Sequence, residues 1–126
     1  MMGFLKGLLF GDGHDLDPHA AVRLMNDGAP VVDVREPGEF ASGAIPGSIN
    51  VPLGQVEARG IAALKAAGID VDAPALVLVC RSGARSGRAC LALRGALGER
   101  AHNLAGGVMA WGGRGLPLTP GGTPAA

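Results

Sequence analysis

The sequence has no excess of charge of one sign. Its 126 residues include 11 lysine and arginine residues and 11 aspartate and glutamate residues, so the formal net charge is zero. A chain without net charge exerts no overall electrostatic attraction on nucleic acid or on an anionic membrane. The composition therefore gives no reason to expect a nucleic-acid partner.

The sequence also lacks a long hydrophobic run. The apolar stretch at residues 1–13 is interrupted by Lys6, Gly7 and Gly11, and a membrane-spanning helix needs about 20 predominantly apolar residues. Its uninterrupted apolar part is shorter than the core of a secretory leader, and no small-residue cleavage site follows. We expect a cytoplasmic protein without a transmembrane segment, in which residues 1–14 form an N-terminal tail.

Cysteine and histidine are scarce. Cys80 and Cys90 are the two cysteines, and His14, His19 and His102 are scattered without the spacing of metal ligands. Two cysteines in a cytoplasmic chain do not imply a disulfide. We predict no metal site, and we expect Cys90 to be a core residue, with a resolving cysteine as the alternative.

Glycine and proline, by contrast, are abundant, with 22 and 9 residues. They separate apolar runs instead of forming repeats or low-complexity tracts, as in a turn-rich globular chain. We expect one domain at residues 15–117, followed by a tail at 118–126. Strand and helix patterns alternate along it, which predicts an α/β sheet with helices on both faces. The predicted strands are residues 29–35, 48–51, 75–79 and 101–104; the predicted helices follow Asp17 and cover 55–67 and 87–97, with short turns at 36–40 and 108–111.

Two of the predicted helices have identifiable details. Gly60 weakens the middle of the helix at 55–67. The helix at 87–97 has an apolar side that we expect to be buried, formed by Cys90, Leu91, Leu93 and Leu97.

The junction after the apolar strand at 75–79 concentrates the chemistry. Cys80 stands where that strand ends and is followed by Arg81, Ser82, Gly83, Ala84, Arg85 and Ser86 before a helix. Backbone N–H groups of such a loop converge on one point, and the helix adds its free N-terminal donors, which together make an anion site. Free cysteine has a pKa near ~8.5, and these surroundings lower it to roughly 3.5–7.5. We predict that Cys80 is a thiolate nucleophile and that the six following residues bind its substrate; the alternative is a small buried hydrophobe.

Charge is distributed unevenly around this loop. No acidic residue lies between Asp72 and Glu99, and four arginines fall in that interval, which gives the segment a local charge of +4. We therefore expect an electropositive patch that attracts small anions. The arginines are Arg81, Arg85, Arg88 and Arg94.

A second charged group ends the β-branched strand at 29–35. Asp33 and Arg35 lie at its carboxyl end, where parallel sheets place functional residues. Asp33 is expected either to orient Arg85 or another loop-side arginine, or to make a local turn.

Four ordered segments resemble the signatures of single-domain rhodaneses, and the match covers about residues 15–117. They are Asp-Val-Arg-Glu-Pro-Gly-Glu-Phe at 33–40, Gly-Ala-Ile-Pro-Gly-Ser-Ile-Asn-Val-Pro at 43–52, Cys-Arg-Ser-Gly-Ala-Arg-Ser at 80–86, and Asn-Leu-Ala-Gly-Gly-Val-Met-Ala-Trp at 103–111. The resemblance implies a rhodanese-like five-stranded parallel sheet flanked by helices on both faces. It also implies a sulfurtransferase in which Cys80 carries a persulfide. Ala44 departs from the histidine of many relatives, but it lies outside the cysteine loop.

This chemistry agrees with the residues of the loop. A small anionic sulfur donor such as thiosulfate would bind to the arginines and amides, and the Cys80 thiolate would attack its outer sulfur. Cyanide in an assay, or a cellular thiol or protein acceptor, would then remove that sulfur, with no metal or organic cofactor. Thiosulfate, glutathione persulfide and a protein persulfide all fit this pattern as donors.

Two other functions compete with this one. Cysteine phosphatases and arsenate reductases place one more residue between cysteine and arginine than the four between Cys80 and Arg85. The smaller ring suits a sulfur atom better than a tetrahedral oxyanion. A non-catalytic binding module on the same fold is the other alternative, and the presence of Cys80 with Arg81 and Arg85 weighs against it.

Overall fold

Five short strands form a single parallel sheet in the computed structural model, which describes residues 15–124. The strand order is β1-β5-β4-β2-β3, and every neighbouring pair is parallel. The predicted five-stranded parallel sheet is confirmed, and β4 is its central strand. The strands are β1 (Asp15–Leu16), β2 (Val31–Asp33), β3 (Ile49–Asn50), β4 (Leu76–Val79) and β5 (Ala101–Leu104).

In the part of the chain that the structure describes, six α-helices connect or follow the strands. The first begins as predicted, because the Asp17 carboxylate accepts a 2.8 Å hydrogen bond from the N–H of Ala20 and Pro18 occupies the first helical position. Within residues 15–124, no helix is long and apolar enough to span a membrane. The helices are α1 (Pro18–Asn26), α2 (Pro37–Ser42), α3 (Leu53–Arg59), α4 (Ile61–Ala66), α5 (Ala84–Leu97) and α6 (Gly107–Gly113).

Side chains of β4 alternate between the two faces of the sheet, as strand geometry requires. Leu76 and Leu78 pack in a core with residues of α3, α4 and α5, whereas Val77 and Val79 pack in a second core with residues of α1 and α6. All four side chains are fully buried. The sheet therefore carries helices on both faces, and its central strand is inaccessible to water.

The helix predicted at 55–67 is in fact two helices. Gly60 has a φ of +57°, a left-handed conformation that favours glycine, and it separates α3 from α4. The helix predicted at 87–97 begins three residues earlier, at Ala84. Leu91 on that helix is 61% exposed, so its assignment to the buried side was wrong. The strand β1 was missed because two residues are too few to show a periodicity.

The chain after Pro117 returns to the domain. Ala44 and Thr119 exchange two backbone hydrogen bonds of 2.8 Å, and the N–H of Gly47 donates to the carbonyl of Gly122. The predicted tail thus lies against the segment that follows α2 as far as Gly122, while residues 1–14 and 125–126 lie outside the described part of the chain. The boundary at residue 117 stays a prediction.

Candidate active site

Cys80 directly follows β4, at the carboxyl edge of the sheet. Only 1% of the residue is exposed. The neighbouring strand β2 ends beside it, because the N–H of Val34 donates a 2.9 Å hydrogen bond to the carbonyl of Val79. The thiol therefore sits where the ends of parallel strands meet, the usual place for a ligand in an open α/β sheet.

Hydrogen-bond donors of the loop converge on the Cys80 sulfur. The backbone N–H of Gly83 lies 3.1 Å from Sγ and the hydroxyl of Ser86 lies 3.3 Å from it. Gly83 has a φ of +108° and is the N-cap residue of α5. Because glycine adopts this conformation without strain, the loop can turn back over the sulfur.

These donors change the acidity of the thiol. Burial raises the pKa of Cys80. Hydrogen bonds from the Ser86 hydroxyl and from the N–H groups of Ser86, Gly83 and Ser82 together lower it by more than burial raises it, so the pKa lies below its ordinary value. Cys90 behaves in the opposite way: burial, with a smaller contribution from Asp15, raises its pKa to about 12. The two cysteines therefore differ in chemistry, and Cys90 packs in the core as predicted.

The first turn of α6 holds the start of the Cys80 loop through two backbone hydrogen bonds. The N–H of Val108 donates to the Cys80 carbonyl at 2.9 Å, and that of Met109 donates to the Arg81 carbonyl at 3.1 Å. N–H groups in the first turn of a helix have no partner within it. A trans peptide directs its N–H opposite to its C=O, so the Arg81 carbonyl held by α6 turns the N–H of Ser82 towards the sulfur, where it helps to lower the pKa of Cys80. A Cβ on Gly107 would overlap the Arg81 carbonyl, so the close approach requires glycine there.

Asn103 on β5 supports the loop from another strand. Its Nδ2 donates a 3.0 Å hydrogen bond to the Gly83 carbonyl, and its Oδ1 accepts a 2.5 Å hydrogen bond from the Ser86 hydroxyl. The Ser86 hydroxyl has one proton, so it donates either to Asn103 or to the Cys80 sulfur at a given moment. Asn103 was not among the predicted site residues, because only the pairing of β5 with β4 brings it to the loop.

Arg85 forms an ion pair with Glu39, which was also not among the predicted site residues. Its Nη1 and Nη2 atoms lie 2.7 and 2.9 Å from the two carboxylate oxygens of Glu39 on α2. This pairing lowers the pKa of Glu39 to about 2, so Glu39 is charged at neutral pH. Glu39 also accepts a 3.0 Å hydrogen bond from the N–H of Glu36, which caps α2 and fixes the carboxylate in place. The three-residue spacing of Glu36 and Glu39 indicates such a cap in the sequence. Nothing in the sequence indicates that Glu39 pairs with Arg85.

Two of the four arginines in the predicted electropositive patch are paired with carboxylates. Arg88 also has a carboxylate partner, Glu57 on α3, at 2.8 Å. Earlier parts of the chain supply the acids that the segment itself lacks, and a charge count along the sequence does not show this. Arg81 is exposed, and in residues 15–124 no carboxylate pairs with it.

Asp33 and Arg35 form a buried pair beside the site. The Asp33 carboxylate accepts hydrogen bonds from the backbone N–H, Nε and Nη2 of Arg35, the shortest being 2.8 Å. Arg35 Nη2 also donates to the Gly43 carbonyl at 2.7 Å. Of the two roles expected for Asp33, the geometry shows the local one, in which it holds the end of β2; the carboxylate that pairs with Arg85 belongs to Glu39.

No candidate metal site appears in the part of the chain described here: three or more histidine, cysteine or acidic residues do not come together anywhere in it. The remaining predicted loop residues, Ser82 and Ala84, lie in the turn and at the first position of α5. The residues of the loop thus surround the thiol of Cys80.

Comparison with known proteins gives a consistent result. The family model described as the rhodanese-like domain matches residues 17–114. A protein named sulfurtransferase from Allochromatium vinosum is 40% identical over 88 residues, which are 70% of this chain and 76% of that protein. The sulfurtransferase name belongs to a protein of similar size.

Solved structures show the same fold. The human single-domain sulfurtransferase TSTD1 has a TM-score of 0.65 and 26% identity, over 80% of this chain and 96% of that one. A rhodanese-related protein from Thermoplasma volcanium has a TM-score of 0.69 and 25% identity, over 84% of this chain and 97% of that one. In both, nearly the whole relative is matched by this one domain.

Proposed function

This chain belongs to the rhodanese-like domain family, and from that premise we propose that it is a sulfurtransferase that carries sulfane sulfur as a persulfide on Cys80. The observation that supports this most is the convergence of the Gly83 N–H and the Ser86 hydroxyl on the Cys80 sulfur. Donors in this arrangement stabilise negative charge on sulfur, both on the thiolate before transfer and on the persulfide after it.

In the first step the Cys80 thiolate attacks the outer sulfur of an anionic sulfane-sulfur donor. With thiosulfate, a new S–S bond forms on Cys80, the S–S bond of the donor breaks, and sulfite leaves with the bonding electron pair. With a persulfide donor, the corresponding thiolate leaves. The lowered pKa of Cys80 increases the fraction of thiolate at neutral pH, which is the nucleophilic form.

In the second step an acceptor nucleophile takes the outer sulfur from Cys80 and the thiolate returns. Cyanide would yield thiocyanate, and a small thiol or a protein thiol would yield a new persulfide. In each step one bond to the transferred sulfur forms as another breaks and the leaving group takes the electron pair, so neither half-reaction consumes an external oxidant or reductant. The covalent intermediate predicts ping-pong kinetics.

The loop geometry supports this function over phosphate chemistry. Arg85, the residue that would hold an oxyanion in a phosphatase loop, is instead paired through both terminal nitrogens with Glu39. Binding a phosphate there would require that pair to open.

Parallel assays separate the candidates. We expect the protein to accelerate thiocyanate formation from cyanide and thiosulfate or glutathione persulfide above the rate without protein, and not to hydrolyse an aryl phosphate. Phosphate release without thiocyanate would overturn the proposal in favour of a phosphatase. Absence of both products would favour a binding module.

A further inference from the structure

The charge around the Cys80 loop is more nearly balanced than its arginines suggest. Arg85 is neutralised by Glu39 and Arg35 by Asp33, each through two or more hydrogen bonds. Among the described residues, this leaves Arg81 as the loop arginine with no carboxylate partner. Of the two arginines in the Cys80 loop, only Arg81 therefore keeps a charge that no carboxylate neutralises.

Possible sulfur donors differ in how much charge they bring to this point. Thiosulfate carries two negative charges within one small ion, and both lie close to the sulfur that is transferred. In glutathione persulfide the carboxylates are several bonds away from the transferred sulfur. Because Coulomb energy falls with distance and is strongest where water is excluded, thiosulfate depends more on cations at the loop.

We propose that Glu39 is a specificity-determining residue, which by holding and neutralising Arg85 makes the Cys80 site prefer a thiol persulfide over thiosulfate as its sulfur donor. This inference rests on the proposed sulfurtransferase function. It assigns to the acidic residue of α2 a role in donor choice, while the chemistry itself takes place on Cys80.

The contacts of Glu39 hold Arg85 in the ion pair. Its Oε1 atom accepts hydrogen bonds from both Arg85 and the N–H of Glu36, and the two side chains of the pair are each 33% exposed. Moving Arg85 towards a donor would break two charge-assisted hydrogen bonds. Moving Glu39 with it would remove the cap of α2. Arg85 is therefore held where its charge is already satisfied.

The test is the rate of sulfur-adduct formation on Cys80 with each donor, measured by rapid quenching and mass spectrometry. Glu39→Gln removes the charge but keeps an oxygen that can accept from Glu36. We expect this variant to react roughly tenfold faster with thiosulfate, because a carboxylate no longer neutralises the charge of Arg85. With glutathione persulfide we expect less than about a twofold change.

Glu57→Gln is the matched control. It makes the same chemical change and the same change in net charge, but it releases Arg88, which lies on α5 beyond Arg85 and pairs with α3. We expect no change in donor preference. In a second test, adding Arg85→Gln to Glu39→Gln should remove the gain in the thiosulfate rate, because the gain acts through Arg85.

The inference is overturned if Glu39→Gln leaves the ratio of the two donor rates unchanged, or if Glu57→Gln changes it equally. In either case the unmodified protein would still form the adduct, so the sulfurtransferase proposal would stand. If the unmodified protein forms no adduct with either donor, both the inference and the proposed function fail.

Discussion

The side-chain amide of Asn103 donates a 3.0 Å hydrogen bond to the carbonyl of Gly83, twenty residues earlier in the chain. This bond joins β5 to the N-cap residue of α5, and the other end of the same amide accepts from the Ser86 hydroxyl. One buried side chain on a neighbouring strand therefore fixes two of the groups that donate to the Cys80 sulfur. The loop is positioned by the sheet as well as by its own residues.

Removing the Asn103 amide should loosen the loop. Asn103→Leu keeps a similar volume but loses both hydrogen bonds, each worth about 1 kcal/mol and more where a buried partner is left unsatisfied. We expect kcat/KM for sulfur transfer to fall roughly tenfold, which corresponds to about 1.4 kcal/mol. Asn26→Leu, the same change at an exposed position of α1, should leave it unaltered. Equal activity of the two variants would remove Asn103 from the site.

The Ser86 hydroxyl should lower the pKa of Cys80. Because Ser86 donates to the sulfur, Ser86→Ala removes a hydrogen bond that favours the thiolate, and the pKa should rise. Alkylation of Cys80 by iodoacetamide, followed by peptide mass spectrometry across pH, measures it. The midpoint should move to higher pH, and the rate below the midpoint should fall while the rate at high pH stays the same. An unchanged midpoint would contradict the assigned hydrogen bond.

The Glu39–Arg85 pair should make stability depend on pH in acid. Its hydrogen bonds lower the pKa of Glu39 from 4.5 to about 2. A carboxyl with a depressed pKa in the folded state stabilises the fold above its unfolded pKa, and the contribution is lost as pH falls through the folded pKa. The difference in Tm between the unmodified protein and Glu39→Gln should therefore be complete above pH 4.5 and shrink towards pH 2. Thermal unfolding across this range measures it, and a constant difference would count against the pair.

The glycine at 107 should be essential for the loop. Its φ is +59°, and a Cβ there would collide with the carbonyl group of Arg81. Gly107→Ala must displace the loop or α6, so we expect loss of sulfur transfer and a lower Tm. Gly113→Ala, in the last turn of the same helix where a Cβ meets nothing within 4 Å, should have neither effect. Normal activity of Gly107→Ala would show that α6 does not determine the position of the Cys80 loop.

What the sequence can reveal about this site depends on how local each feature is. Cys80, Gly83 and Ser86 belong to one strand-loop-helix junction, so their grouping follows from a short stretch of chain. Glu39 lies 46 residues from Arg85 in the sequence, and only the packing of α2 near α5 brings the pair together. The local charge of +4 counted along the sequence overstates the charge around the loop for this reason, because Arg85 and Arg88 pair with carboxylates from distant parts of the chain.

Backbone conformation sets the other limit. The break at Gly60 depends on a φ of +57°, which a glycine permits but does not require. The sequence pattern predicts that the helix is weakened at Gly60. It does not predict that the helix is divided into α3 and α4 there. The central strand and the alternation of strands with helices were predictable because buried apolar runs are local.

The central claim is that Cys80 carries one extra sulfur atom, and mass spectrometry of the protein after incubation with a sulfane-sulfur donor tests it most directly. The account predicts a gain of one sulfur atom, localised to the peptide that contains Cys80, and its loss on addition of cyanide with release of thiocyanate. Cys90→Ser should retain both events, since that thiol is buried in the core, and Cys80→Ser should abolish them. An unmodified mass after exposure to both thiosulfate and glutathione persulfide, or an adduct that persists in Cys80→Ser, would contradict the account.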